Sequence, residues 1–200
     1  MKQCEITTEE LLRRYAAGER DFSGVWIRQA NLIKADLRRI NLSNAKLIKA
    51  QLIAANLDGA ILSGICLERA DLTSATLRRT NLTRADLSGC QLVKVNFGEA
   101  NLSEAGLWDA CLDGAAFTEA NLRGAQLVGT TRYGTDFMRA DLRESTFECN
   151  EGAANFTDAN LLGVYEFVVL KTDTFCRTTM PDGSIRSDGC WPNRAEYVLD

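Results

Sequence analysis

Large apolar residues recur at every fifth position from Phe22 and Ile27 to Leu122 and Leu127, twenty-two times without a miss. A small or apolar residue lies two places before each of the centres from Ile27 on. From Val25 to Thr130 this position is Ala at fifteen of twenty-two sites. On an α-helix each fifth residue advances about 140° past a full turn, so such a stripe would wrap around the cylinder. On a plain strand an odd period flips the face at every repeat. Both conflicts vanish if each repeat is a short extended segment followed by a corner. The small residue and the centre, two apart, then point the same way, inward.

The corner has its own chemistry. Gly24, Gly59, Gly64 and Gly89 sit two residues after a centre, as does Asn44, where a turn needing positive φ prefers Gly or Asn. The repeats contain no proline, and Pro181 and Pro192 lie beyond them; proline would remove an N–H that a stacked ladder uses. Asp or Asn directly before the centre, as at Asp36, Asp71, Asp86, Asp136 and Asp141, is expected outward, satisfying local backbone groups.

The units Ala35-Asp36-Leu37-Arg38-Arg39, Ala55-Asn56-Leu57-Asp58-Gly59 and Ala120-Asn121-Leu122-Arg123-Gly124 match the pattern A(D/N)LXX. Over residues 20–163 the chain resembles the pentapeptide-repeat family, especially its cyanobacterial-looking members. The resemblance implies an all-β fold, a right-handed quadrilateral β-helix with twenty residues per coil. In that register coils run 20–39, 40–59 and onward to 140–158, about seven in all, or roughly 34 Å of rod at ~4.8 Å per coil. One inward column reads Leu37, Leu57, Leu77, Phe97, Phe117, Phe137 and Phe156, so an aromatic stack is expected in the second half. Two irregularities share a face: Arg132 replaces a central Leu, and the coil holding Gly152 lacks one residue before Phe156. These predict a local bulge or loop, with Arg132 not entering the core unpaired.

Three segments follow. Residues 1–19 form an N-terminal helical cap, with Thr7 and Glu10 as a capping box and Leu11, Leu12, Tyr15 and Ala16 as the apolar face. Residues 20–163 form the β-helix. Residues 164–200 leave the period, and an apolar run at Tyr165 to Leu170 precedes a Pro181-Asp182-Gly183 turn, Trp191 and Tyr197. This last segment either folds over the final coil as a cap or hairpin, or makes a dimer contact.

Composition narrows the chemistry. Histidine is absent, which removes the usual neutral-pH base and transition-metal ligand, and no phosphate-cradling glycine motif occurs. The expectation is a non-enzyme with no catalytic, cofactor or metal residues. The first residues lack a secretory-signal pattern and no apolar run suffices to cross a bilayer, so a cytoplasmic location is expected. Of seven cysteines, Cys90 falls inward, while Cys66, Cys111 and Cys149 fall outward without a CxxC pair. Cys176 and Cys190 either bond across a hairpin or stay as two reduced thiols, the state a cytoplasmic chain favours.

Net charge is −4, but residues 20–99 carry 12 Lys/Arg against 7 Asp/Glu and residues 100–163 carry 4 against 10. Two outward sets are candidate docking surfaces. Arg38, Arg39, Arg78 and Arg79 form a basic patch suited to an acidic partner, with Arg38 and Arg78 expected to flank Asp58. An apolar set comprises Ile33, Ile53 and Val93 on one face and Ile48, Trp108 and Val128 on its neighbour. Ser23, Ser43, Ser63, Thr83 and Ser103 line up as a solvated hydroxyl ladder. The functional expectation is a protein-protein interaction scaffold, monomeric or homodimeric, with an unidentified protein partner and no membrane or nucleic-acid role. The family resemblance implies an alternative, a DNA mimic that binds and protects the topoisomerase gyrase, which the basic first half opposes.

Overall fold

The computed structural model describes residues 4–148 and 151–190; Cys149, Trp191 and Tyr197, singled out above, lie outside them. The chain winds into a β-helix whose walls are held by parallel bridges twenty residues apart, as in Asp36 to Asn56 to Thr76 to Asn96. Four repeats therefore complete one turn. Past residue 136 the interval becomes nineteen, from Asp136 to Asn155 and Asp141 to Asn160.

The repeat accounts for the N–H groups of a unit, which explains its consensus. Leu37 N donates to Asn56 O, Arg39 N to Asp58 O, and Ile40 N closes the turn onto Leu37 O. Asn56 N reaches down to Ala35 O. The remaining donor, Asp58 N, is taken by the Asn56 side chain at 3.0 Å, and Thr73 N by Asp71 at 2.9 Å. Asp or Asn before the centre thus satisfies the amide that the ladder leaves over. The corner residue has positive φ in nearly every repeat whether or not it is glycine; Arg39 lies at 60° and Glu104 at 58°, as the third position of a type II turn requires.

The twenty-two apolar centres are all buried, as is each inward alanine from Ala30 to Ala125 except Ala35. Several polar residues at the small inward position donate to a neighbouring carbonyl: Thr80 to Leu57 O, Thr135 to Leu112 O, and the Cys90 thiol to Leu67 O; Ser145 does not. The aromatic column stacks face to face, with centroids 4.8 Å apart between Phe97 and Phe117 and 5.0 Å between Phe117 and Phe137. It runs on through Phe156 to Phe175, one coil further than the sequence register carried it.

The irregular face holds the expected bulge, between Tyr133 and Thr135 where β1 (Arg132–Asp136) pairs in parallel with β2 (Gly152–Asn155). Arg132 points into the core and is fully buried. Its Nη2 donates to Asp173 Oδ2 at 2.9 Å and to Val168 O at 3.0 Å. Its guanidinium lies over Phe147, Phe156 and Phe167. The room comes from Gly152, where a Cβ would meet the Arg132 stem at 2.7 Å.

At the start, helix α1 (Thr8–Ala16) is capped by Thr7, whose hydroxyl accepts from Glu10 N. Leu11 is buried, whereas Leu12 and Ala16 are exposed. Cys4 and Ile6 pair with Trp26 of the first coil. Beyond residue 163 the ladder continues, with Asn160 bridging Thr179. A hairpin of β3 (Thr178–Thr179) and β4 (Ile185–Arg186) follows, and Arg186 lies over the Phe175 ring at 4.3 Å. Cys176 and Cys190 are joined by a disulfide, where the compartment argument had favoured free thiols.

Candidate functional site

Most units leave two outward positions without a backbone bond to make through their side chains, the residue after the centre and the corner, so candidate sites are columns of these at coil spacing. The apolar candidates occupy the position after the centre on two adjoining walls. Ile33 and Ile53 stack on consecutive coils, with Thr73 between Ile53 and Val93. On the next wall Trp108 and Val128 are consecutive, while Glu68 and Ser88 separate them from Ile48. The apolar set therefore resolves into two small clusters. Trp108 lies flat, since a Cβ on Gly106 would come within 2.5 Å of its ring, and it stays 42% exposed. Exposed Ile61 and Tyr133 were not singled out from sequence; a large apolar residue at an outward position was the available signal.

The basic residues converge. Arg38, Arg39, Arg78 and Arg79 line a groove of about 550 Å³ with Tyr15 of helix α1, Arg20 at the start of the β-helix, Asp58 and Gly59. Arg38 and Arg78 flank Asp58 on the neighbouring coils, as expected, but their guanidinium groups pair with other carboxylates. Arg38 makes a two-pronged contact with Asp36, two residues away, at 2.9 and 2.7 Å. Arg78 and Arg79 both reach Glu99. Asp58 accepts from the Thr76 hydroxyl and from Arg78 N. The short Asp36 fork wins because its partner is fixed by the same turn. Arg38 holds Asp36 below the ordinary carboxylate range, and Arg79, with Arg78, does the same to Glu99. Arg20 lies over the Tyr15 ring at 4.0 Å and donates to Tyr15 O and Glu19 O. Among the described residues, no carboxylate pairs with Arg20 or Arg39.

Pentapeptide repeats, in eight copies, match the chain over residues 27–64, 65–103, 80–118 and 100–143. The chain belongs to the pentapeptide-repeat family. Among solved structures it is similar to HetL, a family member involved in heterocyst differentiation regulation from the cyanobacterium Nostoc sp. Strain PCC 7120. The identity is 27% over 90% of this chain and 100% of that one, with a TM-score of 0.49. Another pentapeptide repeat protein of Nostoc PCC 7120 is 30% identical over 76% of this chain and 92% of that one, with a TM-score of 0.29. A trypsin-treated form of QnrB1, a plasmid-mediated fluoroquinolone resistance protein, shares the fold at a TM-score of 0.52, with 19% identity over 86% and 90% of the two chains. No curated protein sequence matches. The family fold is a right-handed β-helix solenoid, and the columns described above are its outward faces.

Among the described residues, no group of three or more His, Cys, Asp or Glu is placed to hold a metal ion, and no helix is long and apolar enough to cross a membrane. Burial pushes the Cys90 thiol up to about 12 and raises that of Cys66, the opposite of what a reactive thiolate needs.

Proposed function

We propose that this pentapeptide-repeat protein is a non-catalytic scaffold that binds a protein partner through the faces of a capped rod of about seven coils. The observation that carries the reading is Trp108, an exposed indole seated on Gly106 beside Val128. Its backbone is held in a ladder, with Leu107 N and Asp109 N both bonded to the next coil, so an anchor there is ordered before a partner arrives. Trp108→Ala or Ile53→Asp should weaken capture of a partner in pull-downs from the native cell while leaving the far-UV circular dichroism spectrum unchanged. Partner recovery unaffected by either substitution would sink this reading.

The fold shared with a fluoroquinolone resistance protein supports a second reading, gyrase binding by imitation of duplex DNA. The acidic stretch 100–163 suits it, and the basic groove opposes it. A gyrase supercoiling assay with micromolar protein decides; neither inhibition nor protection would remove it.

A further inference from the structure

The corner column on the wall of the phenylalanine stack reads Arg39, Gly59, Arg79, Glu99, Glu119, Arg139, Asp158 and Arg177 up successive coils. Its other cations are matched by an acid on an adjacent coil: Arg79 with Glu99, Arg139 with Glu119, and Arg177 with Asp158. Arg39 is the exception, because the residue above it is Gly59. A Cβ there would sit 3.6 Å from the Arg39 stem, so nothing obstructs a side chain at the site. The result is a notch between Arg39 and Arg79, two coils or about 10 Å apart. Arg20 closes its lower end.

We propose that this notch binds a short carboxylate-rich peptide segment, whose acidic side chain takes the place that a glutamate at position 59 would fill. The inference rests on the scaffold reading and names the chemistry of one partner element. Five guanidinium groups (Arg20, Arg38, Arg39, Arg78, Arg79) face three carboxylates (Asp36, Asp58, Glu99) in and around the groove. The excess is positive, and neither Arg20 nor Arg39 forms an ion pair among the described residues. Arginine forks match planar carboxylates two bonds at a time. Nucleic acid fits less well: the groove's one aromatic ring, Tyr15, already carries Arg20, which leaves no free ring for base stacking. Residues 100–163, with 10 acids against 4 bases, would repel a phosphate backbone extending along the rod.

The chain supplies its own test. Glutamate is tolerated at this kind of corner, since Glu99, Glu104 and Glu119 all adopt φ near 60°. Gly59→Glu should therefore fold, pair with Arg39 and fill the notch from within. Gly24→Glu makes the same charge change at a corner where nothing lies within 4 Å, outside the groove, and serves as the control. The probe is a fluorescein-labelled hexaglutamate peptide titrated with the full-length protein at low salt and read by fluorescence anisotropy. Saturable binding is expected, weakened by added salt because the groove is open. Gly59→Glu should lower affinity about tenfold or more, as like charge facing like charge costs several kcal/mol at an interface. Gly24→Glu should not change it, and both variants should melt near the wild-type temperature. Should Gly59→Glu fail to fold, Arg39→Gln carries the test, with an expected loss of about fivefold, the upper end of what an exposed ion pair contributes.

Absence of saturation at millimolar protein would overturn the proposal, as would equal binding by the two glutamate variants. Tighter binding of a short DNA duplex, abolished by Gly59→Glu, would assign the groove to nucleic acid instead. Self-association abolished by that variant would assign it to a second copy. A groove indifferent to the peptide, alongside partner capture that depends on Trp108, would sink this inference and leave the scaffold reading standing.

Discussion

Asp173→Ala should destabilise this β-helix strongly. The carboxylate is fully buried and joins three stretches of chain: Oδ2 accepts from Arg132 Nη2 at 2.9 Å and from Leu170 N at 2.9 Å, and Oδ1 accepts from Ala154 N at 3.1 Å. Removing it leaves two backbone donors without their acceptor and the guanidinium without its counter-ion in an apolar pocket. Phe147, Phe156 and Phe167 lie 5.2, 5.5 and 5.8 Å away. Their ring faces attract the cation but cannot replace an anion. Breaking a buried pair from one side costs about 3–5 kcal/mol. Arg132→Leu restores the family residue and should cost less, because Asp173 keeps two N–H donors. The double variant should be more stable than the sum of the single losses predicts, by about 2 kcal/mol or more, because the two side chains are in contact. Repeat arrays can unfold in stages, so the readout should be local. Amide exchange at Phe156 and Thr174, which bond Thr174 O and Ala154 O, should accelerate about a thousandfold for a loss near 4 kcal/mol. Exchange within tenfold of wild type in Asp173→Ala, or strict additivity in the double variant, would refute the reasoning.

Three further outcomes follow from particular side chains. Ser145 occupies an inward small position, fully buried, and its hydroxyl has no hydrogen-bond partner among the described residues; Ser145→Ala should raise stability by about 1 kcal/mol in urea titrations, the cost of an unmade bond. Cys90, with its thiol pushed up to about 12 by burial, should resist a thiol reagent at pH 8 until the protein unfolds, while exposed Cys4 reacts at once. Glu99, Glu104 and Asp158 are held below their usual range by Arg79, Arg84 and Arg177. A carboxyl depressed in the folded state contributes stability that is complete above its ordinary value and lost as pH falls through the folded one. Melting temperature should therefore hold steady near neutrality and decline only under acid; a decline beginning above pH 6 would contradict these pairings.

The fold was legible because inward positions and the residue before each centre carry nearly all of its specification. Leu at the centre, Ala two before it and Asp or Asn between them each answer one physical demand: core volume, clearance at the wall, and the spare amide. Arg132 was harder to place. Its replacement of a central Leu and the missing residue above it pointed to a bulge, and the bulge is there. Its partner Asp173 is 41 residues away, two before Phe175 in a stretch beyond the repeats that the sequence register reached. The clue lay in Gly152, twenty residues after Arg132, the one-coil interval; a glycine at that interval leaves room for a bulky stem. Asp58 lies between Arg38 and Arg78, as the column register has it, yet forms an ion pair with neither. Asp36, two residues away within one turn, takes Arg38, and Glu99 on the next coil takes Arg78.

Function was less legible for a reason built into the repeat. The residue after the centre and the corner residue seldom have side chains that bond the backbone of the coils, Asp58 and Asp113 being exceptions that accept from Arg78 N and Tyr133 N, so almost any residue can stand there. The corner accepts Arg, Lys, Glu, Asp, Ser and Ala at positive φ, at about 1–2 kcal/mol each relative to right-handed backbone. The corner amide's bond to the next coil, as from Lys34 N to Ile53 O, holds them there. Freedom of composition at these two positions makes the wall adaptable and erases any shared signature of what it binds. Information about a partner then survives as departures from a column's own habit. Gly59 in a corner column whose other arginines have acids beside them, and Gly106 beneath Trp108, are such departures. In both, a missing side chain leaves the opening, so a ligand surface on this fold is read from what an outward position omits as much as from what it displays.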